Sequence, residues 1–415
     1  MKRSTSAFFV LGLIIVFGLS IGLVRENYII ANNNISGEGF LVQWISGRTL
    51  VTGGNSPYSD LTTAKIQQSI QNQIRIYEGG SIRYTSPLFS GVIIFSFALI
   101  ENEMLARALW LTGQLFSILI IQFVGLKITG WRPKWYIFLL FSFLITFSFH
   151  VFIPWLDGGL SIWAALFLSL AFLAIRNHWN EVGGVLLALS AIQPEMTILI
   201  IIFTLIWAFT KKNNPIIVWF FMTVLTLSIV FYFLVPGWIM QYLRVIYNFT
   251  EYFPSANPGL LFKILWPGVG KQLGWVITLL TAIVLLIEWY LALKKDFRWF
   301  LWTACLTIVI GQWIGLPIEI GNYIILILPT ILVSAMLSER WPRGGQWIAL
   351  LIIAAVFVLE WFMFFNFYRN SQTVMKLNLI VPLPIILFIG LYWVRWWAIK
   401  AERLLIEELR LSETI

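Results

Sequence analysis

The sequence predicts an all-α polytopic membrane protein. It reads as a single integral membrane domain over residues 1–415, a bundle of about twelve transmembrane helices with a long first outer loop carrying short interfacial helices. Three observations carry this reading. Hydrophobic residues make up 59% of the chain and charged residues 11%, against about 25% charged in an ordinary soluble domain. Lipid must therefore act as solvent for much of the apolar surface. The apolar residues fall into runs of spanning length separated by short basic turns. The 22 Trp and 13 Tyr supply amphipathic rings of the kind that settle at the headgroup level.

Taken in order, Met1-Lys2-Arg3 precedes an apolar run, Phe8–Val24. The run has the look of a signal peptide but no small-residue cleavage site, and it reads as an uncleaved first span. Residues 26–104 form the first outer loop, rich in Gly, Asn, Ser and Tyr; within it Pro87–Ile100 lies on or dips into the outer face without crossing. The further spans are Leu105–Leu126, Trp135–Phe152, Leu160–Ile175, Val182–Ile192, Met196–Thr210, Ile216–Val235, Gly274–Leu293, Trp299–Leu316, Tyr323–Leu337, Ile348–Phe365 and Leu379–Trp397. Residues 236–272 form a second long outer loop.

Lys2/Arg3, Lys127/Arg132/Lys134, Arg176, Lys211/Lys212, Lys294/Lys295/Arg298, Arg340/Arg343 and Arg395/Lys400 fall in alternate connections. Cytoplasmic loops carry such an excess, which puts both termini inside and the reversal at Gln193-Pro194-Glu195 outside. The competing arrangement has Pro87–Ile100 crossing and Val182–Thr210 as one kinked span; it would leave Lys127, Arg132 and Lys134 outside. The preferred topology collects the first loop, the turn Pro154–Gly159, the turn at Gln193–Glu195, the loop from Pro236 and the turn around Glu319, Asn322 and Tyr323 on one outer face.

The same composition excludes other classes. The net charge of +9 comes from Lys and Arg scattered through short loops, which is the pattern of membrane anchors and not of a nucleic-acid surface. A lone Cys305 excludes a disulfide framework and a thiolate metal site. Two histidines, His150 and His178, do not make a His-rich metal centre. No Gly-x-Gly-x-x-Gly follows a strand, and no phosphate-binding loop ends in Gly-Lys-Ser/Thr. A transferase of this composition needs a donor other than a soluble nucleotide sugar, and a lipid-linked donor meets that need from within the membrane.

The first loop reads Glu38-Gly39-Phe40-x-x-x-Trp44-x-x-x-Arg48, then Gly54-Asn55-Ser56-Pro57-Tyr58, then Tyr84-x-x-Pro87-Leu88. Further on come Leu187-x-x-Leu-x-x-x-Gln193-Pro194-Glu195, and Asn322-Tyr323 ahead of an apolar run with Pro329. In these stretches, spread over most of its length, the chain resembles the GT-C membrane glycosyltransferases, in particular glycosyltransferase family 87. The resemblance implies a GT-C-like bundle and transfer of a hexose, mannose among the candidates, from a polyprenyl-phosphate carrier to a lipid or glycan acceptor. Catalysis would take place at the outer face of a membrane such as the bacterial cell membrane. The chain departs from the family pattern at Gly39, Gly159 and Gln193. The family places Asp immediately before Phe, where Gly39 stands here with Glu38 one residue earlier, and it usually has Lys where Gln193 stands.

On that reading Glu38 is the first candidate for general base, because inverting sugar transfer needs a carboxylate to take the acceptor's proton; its bland alternative is a solvated loop carboxylate. Asp157 is the second catalytic candidate, and its alternative is an N-cap for the helix that starts at Leu160. Together Glu38 and Asp157 offer the oxygen ligands a divalent cation would want, although no metal set is fixed by the sequence. Gln193 and Glu195 sit at the third outer turn, where an ionisable group near the membrane is costly and usually functional. Arg244, Lys263 and Lys271 are candidates to pair with the carrier phosphate, or else anchor headgroups. Arg48, Tyr58, Tyr84, Glu319, Asn322 and Tyr323 complete the set proposed to contact substrate, with Trp44, Tyr58 and Tyr84 as sugar-stacking rings or ordinary interface packing. Two rival classes share these features: a transporter or flippase of lipid-linked sugars, and a GT-C relative without activity, a reading to which Gly39, Gly159 and Gln193 belong.

Overall fold

The computed structural model describes residues 18–33, 37–73, 82–249, 268–314, 320–367 and 382–399, with single positions at 262 and 266. Among these the regular structure is all helical and contains no strand. In lipid this is the expected outcome, because every backbone N–H and C=O must be satisfied within its own segment. The chain opens with a helix over residues 18–32 (α1). Helices Glu38–Gly53 (α2), Asp60–Gln73 (α3) and Gly91–Ala98 (α4) build the first loop. Then come Glu103–Thr129 (α5), Trp135–Thr146 (α6), Phe149–Asp157 (α7), Ser161–Arg176 (α8), Asn180–Ser190 (α9), Pro194–Thr210 (α10), Asn214–Leu234 (α11) and Trp238–Phe249 (α12). Gly270–Ala292 (α13), Phe297–Gly311 (α14), Ile327–Arg340 (α15), Gly345–Phe367 (α16), Pro382–Trp393 (α17) and Arg395–Ile399 (α18) follow.

Five described helices are long and apolar enough to cross a membrane: Glu103–Thr129, Asn214–Leu234, Gly270–Ala292, Gly321–Arg340 and Gly345–Asn366; a bent pair, α6 with α7, would make a sixth. The protein is accordingly a multi-pass helical membrane protein. Several runs that the sequence offers as spans are shorter as helices. α8 has 16 residues, α10 has 17, α14 has 15 and α17 has 12, below the roughly 20 that cross a hydrocarbon core. A run of hydropathy does not register where the backbone breaks, and Pro194 and the turns around it shorten the helices without changing the apolar count. The Leu88–Ser90 turn and the 8-residue α4 together extend only about 16 Å if fully helical, against a core of about 30 Å.

Burial sorts the spans. The span over Gly321–Arg340 is 83% buried and that over Asn214–Leu234 only 17%, so the first is a central post and the second a lipid-facing wall. α9 packs between α8 and α11. Gly184 permits the second of these contacts, since a Cβ there would stand 2.5 Å from the Ile216 carbonyl oxygen and 3.0 Å from the Phe220 amide nitrogen. Both neighbours are helix backbone and cannot rotate away. Gly184→Leu is expected to cost about 1–3 kcal/mol or more, the scale of core overpacking, and a thermal melt of the purified variant checks it. Arg395 donates to Glu288 at 3.1 Å with its guanidinium over the Trp302 ring, which neutralises a buried carboxylate between α13, α14 and α18.

One break positions the site. The sequence reads Trp135–Phe152 as one span, but the structure bends it by 58° between α6 and α7. Ser148 turns extended there, with its hydroxyl donating to the Ile145 carbonyl at 2.9 Å. The Phe149 amide at the new N-terminus donates to Glu360 Oε2 at 3.2 Å, so a carboxylate from α16 serves as the cap that the helix's own sequence does not supply. The bend carries the C-terminal end of α7, and Asp157 with it, across to the start of α2.

Candidate functional site

α2 begins without a side-chain cap of its own: its N-cap is Gly37. The missing acceptor comes from α7. The Gly39 amide donates to Asp157 Oδ1 at 2.9 Å. A Cβ on Gly39 would stand 2.1 Å from Asp157 Oδ2 and 2.9 Å from the Gly159 nitrogen, so the space of a side chain at position 39 is already filled by the Asp157 carboxylate. Gly158 turns the chain immediately afterwards at φ +75°, against the Phe40 side chain, a conformation for which glycine carries no steric penalty. The sequence offered Asp157 as a cap for the helix starting near Leu160. The structure gives α8 no side-chain cap and uses Asp157 to hold α2 instead.

A row of side chains on α5 cradles this turn. Arg107 Nη2 donates to the Leu156 carbonyl at 3.2 Å, Trp110 Nε1 to the Gly158 carbonyl at 2.8 Å and Gln114 Nε2 to the Gly159 carbonyl at 2.6 Å. Trp155 Nε1 returns a bond to the Leu111 carbonyl at 2.9 Å. The Arg107 guanidinium also acts electrostatically on Asp157, and it occupies the space beside Gly37. None of Arg107, Trp110 and Gln114 stood out in the sequence. The available signal was a polar or amphipathic residue at every three to four positions along one face of the Leu105–Leu126 run, where an ordinary lipid-facing span has none.

Glu38 precedes Gly39 at the first position of α2 and is half-buried. From the 2.9 Å Gly39–Asp157 contact, standard bond lengths keep every Glu38 carboxylate oxygen within about 10 Å of the Asp157 carboxylate. A second group joins through Ser161, four residues beyond Asp157. The Ser161 hydroxyl and Gln193 Nε2 lie 3.3 and 3.5 Å from Asn322 Oδ1, and Gln193 also donates to Glu195. Tyr242, on α12, has its phenol pushed up by burial and further by the Glu195 carboxylate. The structure thus pairs the start of α2 with the end of α7, and the start of α8 with the Gln193–Glu195 turn and Asn322.

Other residues proposed from the sequence stand elsewhere. Arg48 lies over the Trp44 ring, donates to the Ala98 carbonyl at 3.4 Å and pairs with exposed Glu101 at 3.7 Å, which pins α2 to the end of α4. Tyr58 and Tyr84 are buried and tilted against each other at 5.3 Å. The Tyr58 hydroxyl donates to the Ser86 carbonyl at 2.8 Å and the Tyr84 hydroxyl bonds Ser90 at 2.7 Å. Burial pushes both phenols above their usual range. In this structure they join the loop segments to one another and present no open ring face for a sugar. Arg244 is exposed, while the buried face of α12 carries Trp238 and Val245; successive helix positions differ by about 100°, which sets Arg244 about 120° from Trp238. Tyr323 is buried, 5.1 Å from the His150 ring, and lines a separate cleft. The lining of that cleft includes none of Glu38, Asp157 and Arg244. Lys263 and Glu319 lie outside the described residues.

Among the described residues no group of three or more His, Cys, Asp or Glu side chains is arranged to hold a metal ion. The carboxylates present, Glu38, Asp157 and Glu195, come from three different turns. Comparison of the chain with known protein families, with curated proteins and with solved structures returned no match.

Proposed function

We propose that the protein is a GT-C-type hexosyltransferase. It moves a hexose from a polyprenyl-phosphate donor to a lipid or glycan acceptor, within a bundle of about twelve spans whose termini are inside and whose site faces outward. One observation carries the reading: the carboxylate of Asp157 fills the space a side chain at Gly39 would need. Gly39 stands where the resembled family has Asp, so the departure in the first loop is matched by a carboxylate brought to the same place from α7. Glu38 beside it, and the Glu195, Gln193 and Asn322 group that joins at Ser161, supply the acid–base and hydrogen-bonding groups that sugar transfer requires.

The chemistry asks little covalent work of the protein, because the leaving group is a phosphate. Its tasks are to take the acceptor's proton, to hold both partners in line and to meet the charge developing on the leaving phosphate. Asp157 and Glu38 are the proton acceptors. Gln193 and Asn322 orient hydroxyls. Arg107, with its guanidinium beside Asp157, is the cation of the described site and stands in for the Lys that the family has at position 193.

The test is transfer of radiolabelled hexose from polyprenyl-phosphate hexose in membranes containing the chain, with a panel of hexoses. Glu38→Gln keeps shape and hydrogen-bonding capacity and is expected to leave donor binding intact while turnover falls about 100-fold, the scale of general-base catalysis. Full activity in that variant removes Glu38 from the mechanism and leaves Asp157 as the base. Donor binding by the wild type without transfer from any hexose donor overturns the enzymatic reading in favour of a flippase or a binding protein.

A further inference from the structure

The cleft lined by Tyr323 lies apart from the Asp157 turn. It runs between α6–α7, α15, α16 and α17 and opens to the surroundings. From Ala349 to Glu360, both in its wall, α16 rises about 16 Å, close to the depth of one leaflet of a hydrocarbon core of about 30 Å. Most of its lining is aliphatic, as at Ile327, Ile353 and Leu387.

One end is different. His150, Tyr323 and Glu360 meet there, exposed by 2%, 1% and 2%. His150 Nδ1 lies 3.1 Å from Glu360 Oε1, and Glu360 Oε2 accepts the Phe149 amide. That cap occupies Glu360 Oε2, while Oε1 faces His150 Nδ1. It does not account for His150 Nε2 or the Tyr323 hydroxyl, neither of which has a hydrogen-bond partner among the described residues. A buried polar atom left unpaired costs about 1–3 kcal/mol, and two in one cleft are an unmet demand for a ligand. The described lining contains no Lys or Arg. A phosphate brought there would meet the Glu360 carboxylate with no Lys or Arg to offset its desolvation, which favours an uncharged head.

We infer that this cleft binds the single apolar chain of an uncharged, hydroxyl-bearing lipid, with His150 Nε2 and the Tyr323 hydroxyl hydrogen-bonding its head. The site is distinct from one for a polyprenyl phosphate, whose charge it disfavours. It lies about 10 Å back along α7 from Asp157, seven residues at helical rise. The inference requires no transfer activity, so it stands or falls separately from the proposed reaction.

The full chain in nanodiscs is photolabelled with a diazirine-bearing hexadecanol, and adducts are mapped to peptides. Adducts are expected in the segments around residues 144–151 and 352–360. Excess hexadecanol should compete, and hexadecyl phosphate and hexadecane should each compete about tenfold less well, the loss expected for an unmet or repelled head. Val356→Trp fills the cleft wall and should abolish these adducts. Tyr323→Phe, the mildest change at the head, should weaken competition several-fold, with His150→Phe as a second probe and a thermal melt reporting whether each variant folds. Adducts that survive Val356→Trp overturn the site. Equal competition by the phosphate or the alkane, or an unchanged Tyr323→Phe, overturns the assignment of the head.

Discussion

Asp157→Asn is expected to lower hexose transfer by about 100-fold or more while leaving the protein folded. The amide keeps an oxygen for the Gly39 N–H, 2.9 Å away in the wild type, and keeps the volume that fills the gap at Gly39. What it loses is the charge and the ability to accept a proton. The structural cost should be small, about 0.3–1 kcal/mol for removing a negative charge from a helix N-terminus. Initial rates from polyprenyl-phosphate hexose, taken with a thermal melt of the same preparation, separate the two roles. A variant that melts slightly lower and transfers at the wild-type rate would make Asp157 a cap for α2 and nothing more. A hundredfold fall with an unchanged melt would place the carboxylate in the reaction.

Gly39→Asp is expected to destabilise the protein by about 1–3 kcal/mol from overpacking, and by more from two carboxylates forced into one site, of which one must stay protonated. A Cβ at position 39 stands 2.1 Å from one Asp157 oxygen and 2.9 Å from the Gly159 nitrogen, so the side chain at 157 must leave or the start of α2 must lift. The informative experiment is the exchange. In Gly39→Asp combined with Asp157→Gly, the carboxylate returns to the same space from α2 and the crowding is gone. Stability and transfer should both recover relative to Gly39→Asp alone, which makes the pair strongly non-additive, as residues in contact are. Melting points and transfer rates of the two single variants and the double variant decide this. Additive losses would mean that the two positions do not share one space, and would remove the main support for the transferase reading.

The candidate site was partly legible. Glu38, Asp157, Gln193, Glu195 and Asn322 could be singled out because a polar residue is conspicuous in a chain with only 11% charged residues, and all five sit at or near helix ends or turns. Counting crossings placed them on one outer face as an expectation. The support around them was less visible. Arg107, Trp110 and Gln114 lie inside a long apolar run, and their role depends on three carbonyls, those of Leu156, Gly158 and Gly159, contributed from 45 to 49 positions further along. Arg48, Tyr58 and Tyr84 show the converse. Their residue types fit a sugar site, yet Arg48 is taken up by Trp44, Ala98 and Glu101, and the two tyrosines by each other, Ser86 and Ser90.

The sequence by itself determined the solvent and the secondary structure. Apolar composition is additive along the chain, and a backbone in lipid has few ways to satisfy its own hydrogen bonds, so a multi-pass helical protein follows without knowledge of any contact. Only the tertiary structure decided where helices break and which carboxylate caps which end. The run from Trp135 stops at Ser148 because Glu360, 211 positions away, accepts the Phe149 amide. Likewise α2 starts at Glu38 with Asp157, from another helix, as the acceptor for Gly39. Such a cap is worth about 1 kcal/mol only when its two halves are within hydrogen-bond distance, and that distance is set by packing between segments far apart in the chain, to which no local pattern of residues is sensitive.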